Sequence, residues 1–188
     1  MKCHLELVER FPFLSKQFKM TIRLAEERDR KELIAMCNDV YYTSEAEFWA
    51  EGYYRLDDAD YDEFLEKGWL RLMFEGESLV GCIVLKPYGL GASSFSMLVC
   101  HPEHRKKGIG SKLVNHVTAL SKDRGDKSMY LELLTPKEWI HQEKEFLKTW
   151  YGGMGYKLIK EVDFRDYYPD HIKFMKTELV FSLYQLRY

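Results

Sequence analysis

Apolar residues follow two rhythms along this chain. In residues 27–41, Leu33, Ile34, Cys37 and Val40 recur at helical spacing, which gives a helix one apolar face to dock on a core. The rhythm returns in Ile109, Leu113, Val117 and Leu120, and a further helix is expected over 137–152. Strand-like runs lie at 21–25, 69–74 and 79–85, the last two flanking Glu75-Gly76-Glu77-Ser78, a hairpin turn. In 93–100, Phe95, Met97 and Val99 alternate with Ser94, Ser96 and Leu98, which predicts that these three apolar residues share one face of a strand. Residues 128–135 read as a buried strand, and two more strands fall near 157–164 and 177–185. Segments 43–52 and 58–67 read as short helical pieces with an aromatic and acidic join. The order β-α-α-β-β-β-α-β-α-β-β holds no repeat and no low-complexity linker. It predicts a single mixed α/β domain over residues 20–188, preceded by an extension, residues 1–19.

The most specific chemistry lies after the 93–100 strand. Pro102 ends that run, and His104-Arg105-Lys106-Lys107-Gly108-Ile109-Gly110-Ser111 leads straight into the helix. Gly108 and Gly110 let a ligand approach the backbone. The first amides of a helix lack internal partners and lie at the positive end of its dipole, so they attract anionic oxygens. With Arg105, Lys106 and Lys107 beside them, they describe a seat for a phosphate or pyrophosphate. The spacing fits neither a Walker loop nor a dinucleotide fingerprint.

Composition narrows the setting. The 188 residues suffice for one core. A net charge of −2 provides no field to draw the protein to nucleic acid. Cys3, Cys37, Cys82 and Cys100 show no paired spacing and read as free thiols in a reducing compartment. The histidines give no metal-ligand pattern, so no metal is expected. With charged residues within the first ten positions no signal peptide is expected, and no apolar run is long enough to span a membrane. A cytoplasmic location is the expectation, and homodimerisation stays open.

Downstream, Trp150-Tyr151-Gly152-Gly153-Met154-Gly155-Tyr156 sets an aromatic pair before a glycine and another aromatic. Taken with the basic turn, the chain resembles the GNAT superfamily of acyl-CoA-dependent N-acyltransferases. Arg105 to Gly110 matches that family's Arg/Gln-x-x-Gly-x-Gly/Ala, and Tyr151 to Tyr156 matches its Tyr-x-x-x-Gly-Phe/Tyr. The resemblance covers residues 20–188. It implies an α/β fold with a mixed, mostly antiparallel sheet, splayed between its fourth and fifth strands, with helices on both faces.

The resemblance also implies site roles. Leu98, Val99 and Cys100 would pair with the pantetheine arm of acetyl-CoA, and the amides from Arg105 to Ser111 would hold its pyrophosphate. Tyr151 would protonate the leaving thiolate. Many relatives carry a glutamate on the fourth strand, where this chain has Ser94 and Ser96. Glu132 is an acid within the otherwise apolar 128–135 strand. Burial there would raise its pKa toward that of a useful base; the alternative is an acid facing water or paired with a lysine. Ribosomal-protein N-terminal acetyltransferases carry a similar Leu-Glu on this strand, with the glutamate as base. A Tyr-Tyr-Pro like Tyr167-Tyr168-Pro169 also occurs in them.

The implied activity is transfer of an acetyl group from acetyl-CoA, as cosubstrate, to a primary amine of a small molecule or peptide by direct attack. An acyl-CoA-binding sensor without turnover is the alternative. Glu45, Glu47, Glu51, Asp57, Asp58, Asp60 and Asp62 crowd the join between the early helical pieces. They read either as a site for a cationic amine or as a solvated acidic surface.

Overall fold

The computed structural model describes residues 19–188. All but the last residue of the expected extension, 1–19, thus lies outside the described residues. In chain order the elements are β1 (Met20–Leu24), α1 (Arg30–Ser44), α2 (Asp58–Glu66), β2 (Leu70–Glu75), β3 (Ser78–Pro87), β4 (Ala92–Cys100), α3 (Ile109–Asp123), β5 (Ser128–Pro136), α4 (Gln142–Gly153), β6 (Lys157–Asp163), α5 (Phe164–Tyr167) and β7 (Leu179–Arg187). The strands form one sheet in the order β1-β2-β3-β4-β5-β7-β6. Every neighbouring pair is antiparallel except β4 and β5, which are parallel.

Helices cover both faces. Leu33, Met36 and Cys37 of α1 and Tyr61 and Phe64 of α2 pack on Leu72, Val84, Met97 and Val99. On the opposite face, Ile109, Leu113, Val114 and Val117 of α3 meet Ile83, Phe95 and Leu131. Burying an aliphatic side chain as fully as Leu113 contributes roughly 1.5–3 kcal/mol. Gly81 is required at this contact. A Cβ there would lie 2.7 Å from the Val99 carbonyl oxygen and 2.9 Å from Ile109 Cγ2. Only glycine lets α3 settle this close to the end of β4.

The parallel pairing is short. It runs from Ala92 opposite Ser128 to Phe95 opposite Leu131 and then stops. From Ser96 onward the β5-facing edge of β4 has no strand partner, while its other edge stays paired to β3 as far as Cys100. A bulge marks the divergence. Two steps along β3, Cys82 to Val84, match three along β4, Val99 to Ser96. Met97 takes a φ of 49°, a left-handed conformation costing an L-residue about 1–2 kcal/mol. The extra residue reverses the alternation of the strand. Phe95 faces α3 and α4, whereas Met97 and Val99 face α1 and α2. The shared face expected from their spacing is therefore split.

Two further expectations are corrected. Segment 43–52 is no helix: α1 ends at Ser44, and the chain turns to an isolated bridge between Trp49 and Met175. Neighbouring backbone bonds, Ala50 N–H to Phe174 C=O at 2.6 Å and Lys176 N–H to Phe48 C=O at 2.8 Å, complete a clasp between distant loops. The helix expected at 137 begins at Gln142, where the His141 ring accepts from the Lys144 amide, and β5 runs on to Pro136. Between β6 and β7 the chain forms α5 and a 3-10 turn, Pro169–Phe174. A third apolar cluster, including Phe48, Trp49, Phe164, Leu179 and Phe181, fills the space beneath these loops.

Candidate active site

Two clefts open where β4 and β5 part. The first, about 620 Å³, lies between the ends of these strands, the start of α3 and the inner side of α4. The second, about 430 Å³, is bounded by the α1–α2 join, the end of β3 and the β6–β7 loops. They share Arg55, Phe95, Ser96, Met97, Leu131 and Glu132. The gap in the sheet thus joins the clefts.

The start of α3 is built by its turn. Lys106 and Gly108 have φ values of 65° and 77°, and Gly108 caps the helix. The first intrahelical bond of this turn runs from the Lys112 amide to the Gly108 carbonyl at 3.0 Å, so the amides of Ile109, Gly110 and Ser111 precede the helical ladder. Arg105 reaches Glu143 at 3.4 Å, an exposed contact of little energetic weight. Lys106 has no ion-pair partner among the described residues and stands over the cleft. All the residues expected from sequence to form the site line the first cleft except Val99 and Lys107. Val99 points into the core on the other side of the sheet, and Lys107 turns to Glu75 at 3.4 Å.

Tyr151 is delivered by the last full turn of α4 and is 5% exposed. Its ring packs beside Phe95, Tyr156 and Trp150. Burial pushes its phenol well above the ordinary value, so it stays protonated. Trp150, the other member of that aromatic pair, also lines the cleft. A deprotonated sulfur formed beside Tyr151 would find a neutral O–H donor there.

Glu132 lies immediately past the last residue of β5 that pairs with β4, while its other edge stays paired to Leu183 of β7. Its side chain opens into both clefts, and among the described residues it forms no ion pair. Glu132 is the one exposed residue of β5, so of the two expectations it is the acid facing solvent rather than the buried one. Partial desolvation in the clefts still raises its pKa from the usual carboxylate value, opposed by the charges of Arg55, Lys160 and Lys86. The pKa values of Tyr88 and Tyr168 are raised by burial first and by the Glu132 charge second. Ser94 lines only the second cleft, while Ser96 lines both. Tyr168 of the Tyr167-Tyr168-Pro169 motif lines the second cleft, but Tyr167 does not.

The acidic join resolves into separate tasks. Asp57 caps α2 by accepting from the Asp60 amide at 2.8 Å. Asp58 and Asp62 pair with Arg30. Glu45 is 2% exposed and bound to Lys144 at 2.5 Å and to Trp49 Nε1 at 2.9 Å, beside the first cleft. Only Asp60 of this set lines the second cleft. No sequence signal marks the buried Glu45–Lys144 pair, Arg55, or Lys86 and His171 on the second cleft.

A family model described as Acetyltransferase (GNAT) family matches residues 33–138, more than half of the chain. No curated protein has a significantly matching sequence. Solved structures share the fold. An N-acetyltransferase from Staphylococcus aureus Mu50 superposes with a TM-score of 0.65 at 15% identity, over 90% of this chain and 98% of that one. The yncA protein of Salmonella typhimurium, solved with its cofactor acetyl-CoA, gives 0.64 at 17% identity over 90% and 94%. Arabidopsis thaliana Naa50, in complex with the bisubstrate analogue CoA-Ac-MVNAL, gives 0.61 at 17% identity over 90% and 99%.

Proposed function

Since the chain belongs to the GNAT acetyltransferase family, we propose that it is an N-acetyltransferase that moves the acetyl group of acetyl-CoA directly to a primary amine. The observation carrying this reading is the junction of the two clefts at the gap between β4 and β5. Acetyl-CoA occupies the first cleft. Its pyrophosphate lies on the amides of Ile109, Gly110 and Ser111 with Arg105 and Lys106 nearby, and its pantetheine arm runs along the unpaired edge of β4 at Leu98–Cys100. A charge-assisted hydrogen bond contributes roughly 1.5–3 kcal/mol, so a few such donors suffice for useful affinity.

The amine approaches from the second cleft. It must be neutral to attack. A lysine-like amine is neutral about once in 2,500 at pH 7, a penalty near 4.6 kcal/mol. Glu132 stands at the junction and takes that proton, directly or through a water. As the carbon–sulfur bond breaks, Tyr151 gives its proton to the departing sulfur and regains one from the acetylated nitrogen through solvent. Glu132 releases its proton to solvent, and the products are CoA thiol and an acetamide.

Incubating the protein with acetyl-CoA and a panel of amines, while following free thiol and the acetylated product, tests this reading. Thiol and acetamide formed in equal amounts support it. Tight acetyl-CoA binding with no acceptor turned over would make the chain an acyl-CoA sensor.

A further inference from the structure

Arg55 sits where the two clefts meet and lines both. Its backbone is fixed by Asn38 of α1. Asn38 Oδ1 accepts from the amides of Arg55 and Leu56 at 2.9 and 3.1 Å, and Asn38 Nδ2 donates to the Leu56 carbonyl at 2.8 Å. The guanidinium lies over the Tyr41 ring, 5.0 Å from its centroid. The Tyr53 side chain is a hydrogen-bond neighbour of the guanidinium, but it is neutral. Arg55 Nε is enclosed and makes no hydrogen bond, and no carboxylate among the described residues stands within ion-pair reach of the side chain. The acids whose charge it feels include Glu45, committed to Lys144 and Trp49, and Glu132 at the sheet gap.

A guanidinium cannot discard its proton to escape such a place. A half-buried charge without a counter-ion is costly, and a carboxylate is the group whose two oxygens match the guanidinium fork. A second residue of this cleft, His171, also has an unfilled atom. His171 Nδ1 is buried without a partner, its ring held 5.7 Å from that of Tyr53 and 5.4 Å from that of Tyr168. The second cleft therefore offers a cation and an imidazole with unmet hydrogen-bonding capacity inside an aromatic wall.

We propose that Arg55 binds a carboxylate of the acceptor, so that the amine acetylated belongs to a free amino acid or a similarly small amino-carboxylate rather than to a peptide. Arg55 and Glu132 border both clefts, so a molecule with its amine and carboxylate a few bonds apart meets both. A peptide N-terminus carries an amide where this site calls for a negative charge. This specificity rests on the acetyltransferase reading, but its binding component stands apart from turnover.

The test uses the full chain saturated with CoA, titrated calorimetrically with the common amino acids and their carboxamides, with acetyl transfer to each measured in parallel. The best ligand should be a free acid whose carboxamide binds at least tenfold more weakly. In Arg55→Gln that preference should vanish, while Arg55→Lys should keep part of it; thermal unfolding checks that both variants fold. Carboxamides that bind as well as the acids, or no amino acid binding at all, would overturn the proposal. So would an Arg55→Gln variant that loses kcat equally on acids and carboxamides, which would put the guanidinium on the thioester oxygen instead. A carboxylate preference in binding without any acetyl transfer would sink the acetyltransferase reading and leave the Arg55 site standing.

Discussion

Leu131 is the last residue of β5 to pair with β4, opposite Phe95, and Glu132 is the next residue along. The sheet therefore opens at the position where a base is wanted. Because Glu132 borders both clefts, it can reach an amine in one while the thioester lies in the other. Partial desolvation in the clefts raises its pKa, so the working carboxylate form is gained at a higher pH than for a free glutamate. Activity should rise with pH through that ionisation. Glu132→Gln should lower kcat and flatten the acidic limb of the pH–rate profile. A limb that persists at the same pKa in the variant would place the base elsewhere.

Replacing Tyr151 by Phe keeps the ring among Phe95, Trp150 and Tyr156. Stability and CoA affinity should change little. General-acid assistance is typically worth about 10²–10⁴-fold, so kcat should fall by that order where chemistry limits the rate. The loss belongs in kcat more than in KM, because the proton moves only in the transition state. Single-turnover kinetics showing a near-unchanged chemical step would reduce Tyr151 to a packing role.

Gly110 offers a graded probe of the first cleft. A Cβ there would stand 3.4 Å from Trp150 Cη2 and 3.7 Å from Cys100 Sγ. Alanine fits with a slight adjustment, whereas the branched methyls of valine would intrude on the space over the first turn of α3. CoA affinity measured by calorimetry should fall at least tenfold in Gly110→Val, about 1.4 kcal/mol, and far less in Gly110→Ala. Unchanged affinity in a folded Val variant would remove the pyrophosphate from this turn.

The Glu45–Lys144 pair predicts an acid-sensitive fold. Burial pushes the Glu45 carboxyl up, but the Lys144 and Arg55 charges and hydrogen bonds from Lys144 and Trp49 outweigh it and hold the pKa below its ordinary 4.5. A carboxyl whose folded pKa is depressed stabilises the fold above its unfolded pKa, and that contribution disappears as pH falls through the folded value. Glu45→Gln should destabilise the protein by about 3–5 kcal/mol at pH 7, because it strands the Lys144 charge. Its stability should also fall less steeply than the wild type's as pH drops below about 4.5. Urea denaturation across that range, with a Glu45→Gln/Lys144→Met double variant as reference, measures both effects. Parallel acid limbs in the wild type and the single variant would contradict the assignment.

The turn into α3 was legible because proline and glycine punctuate it and the apolar stripe that follows has a clean period. The alternation of β4 misled because its bulge falls at Met97, a residue with no preference for positive φ; the reversal follows from how β3 and β4 pair. Segment 43–52 reads as a helix locally. It is diverted by contacts distant in sequence, Glu45 to Lys144 and Trp49 to Met175. Arg55 was passed over since an arginine in an acid-rich join resembles a solvated one. Its neighbours Asp57, Asp58 and Asp62 are occupied with capping α2 and holding Arg30.

The clasp at Trp49 and Met175 bears on any attempt to redirect this protein to another acceptor. Each loop supplies backbone hydrogen bonds that the other needs, through Ala50 with Phe174 and Lys176 with Phe48. A chimera that imports one loop alone would leave orphaned amides and carbonyls on the loop that remains. The two segments, separated by more than half the chain, form one transplantable unit. If the second cleft takes the acceptor as proposed, its selectivity would be inherited in pairs.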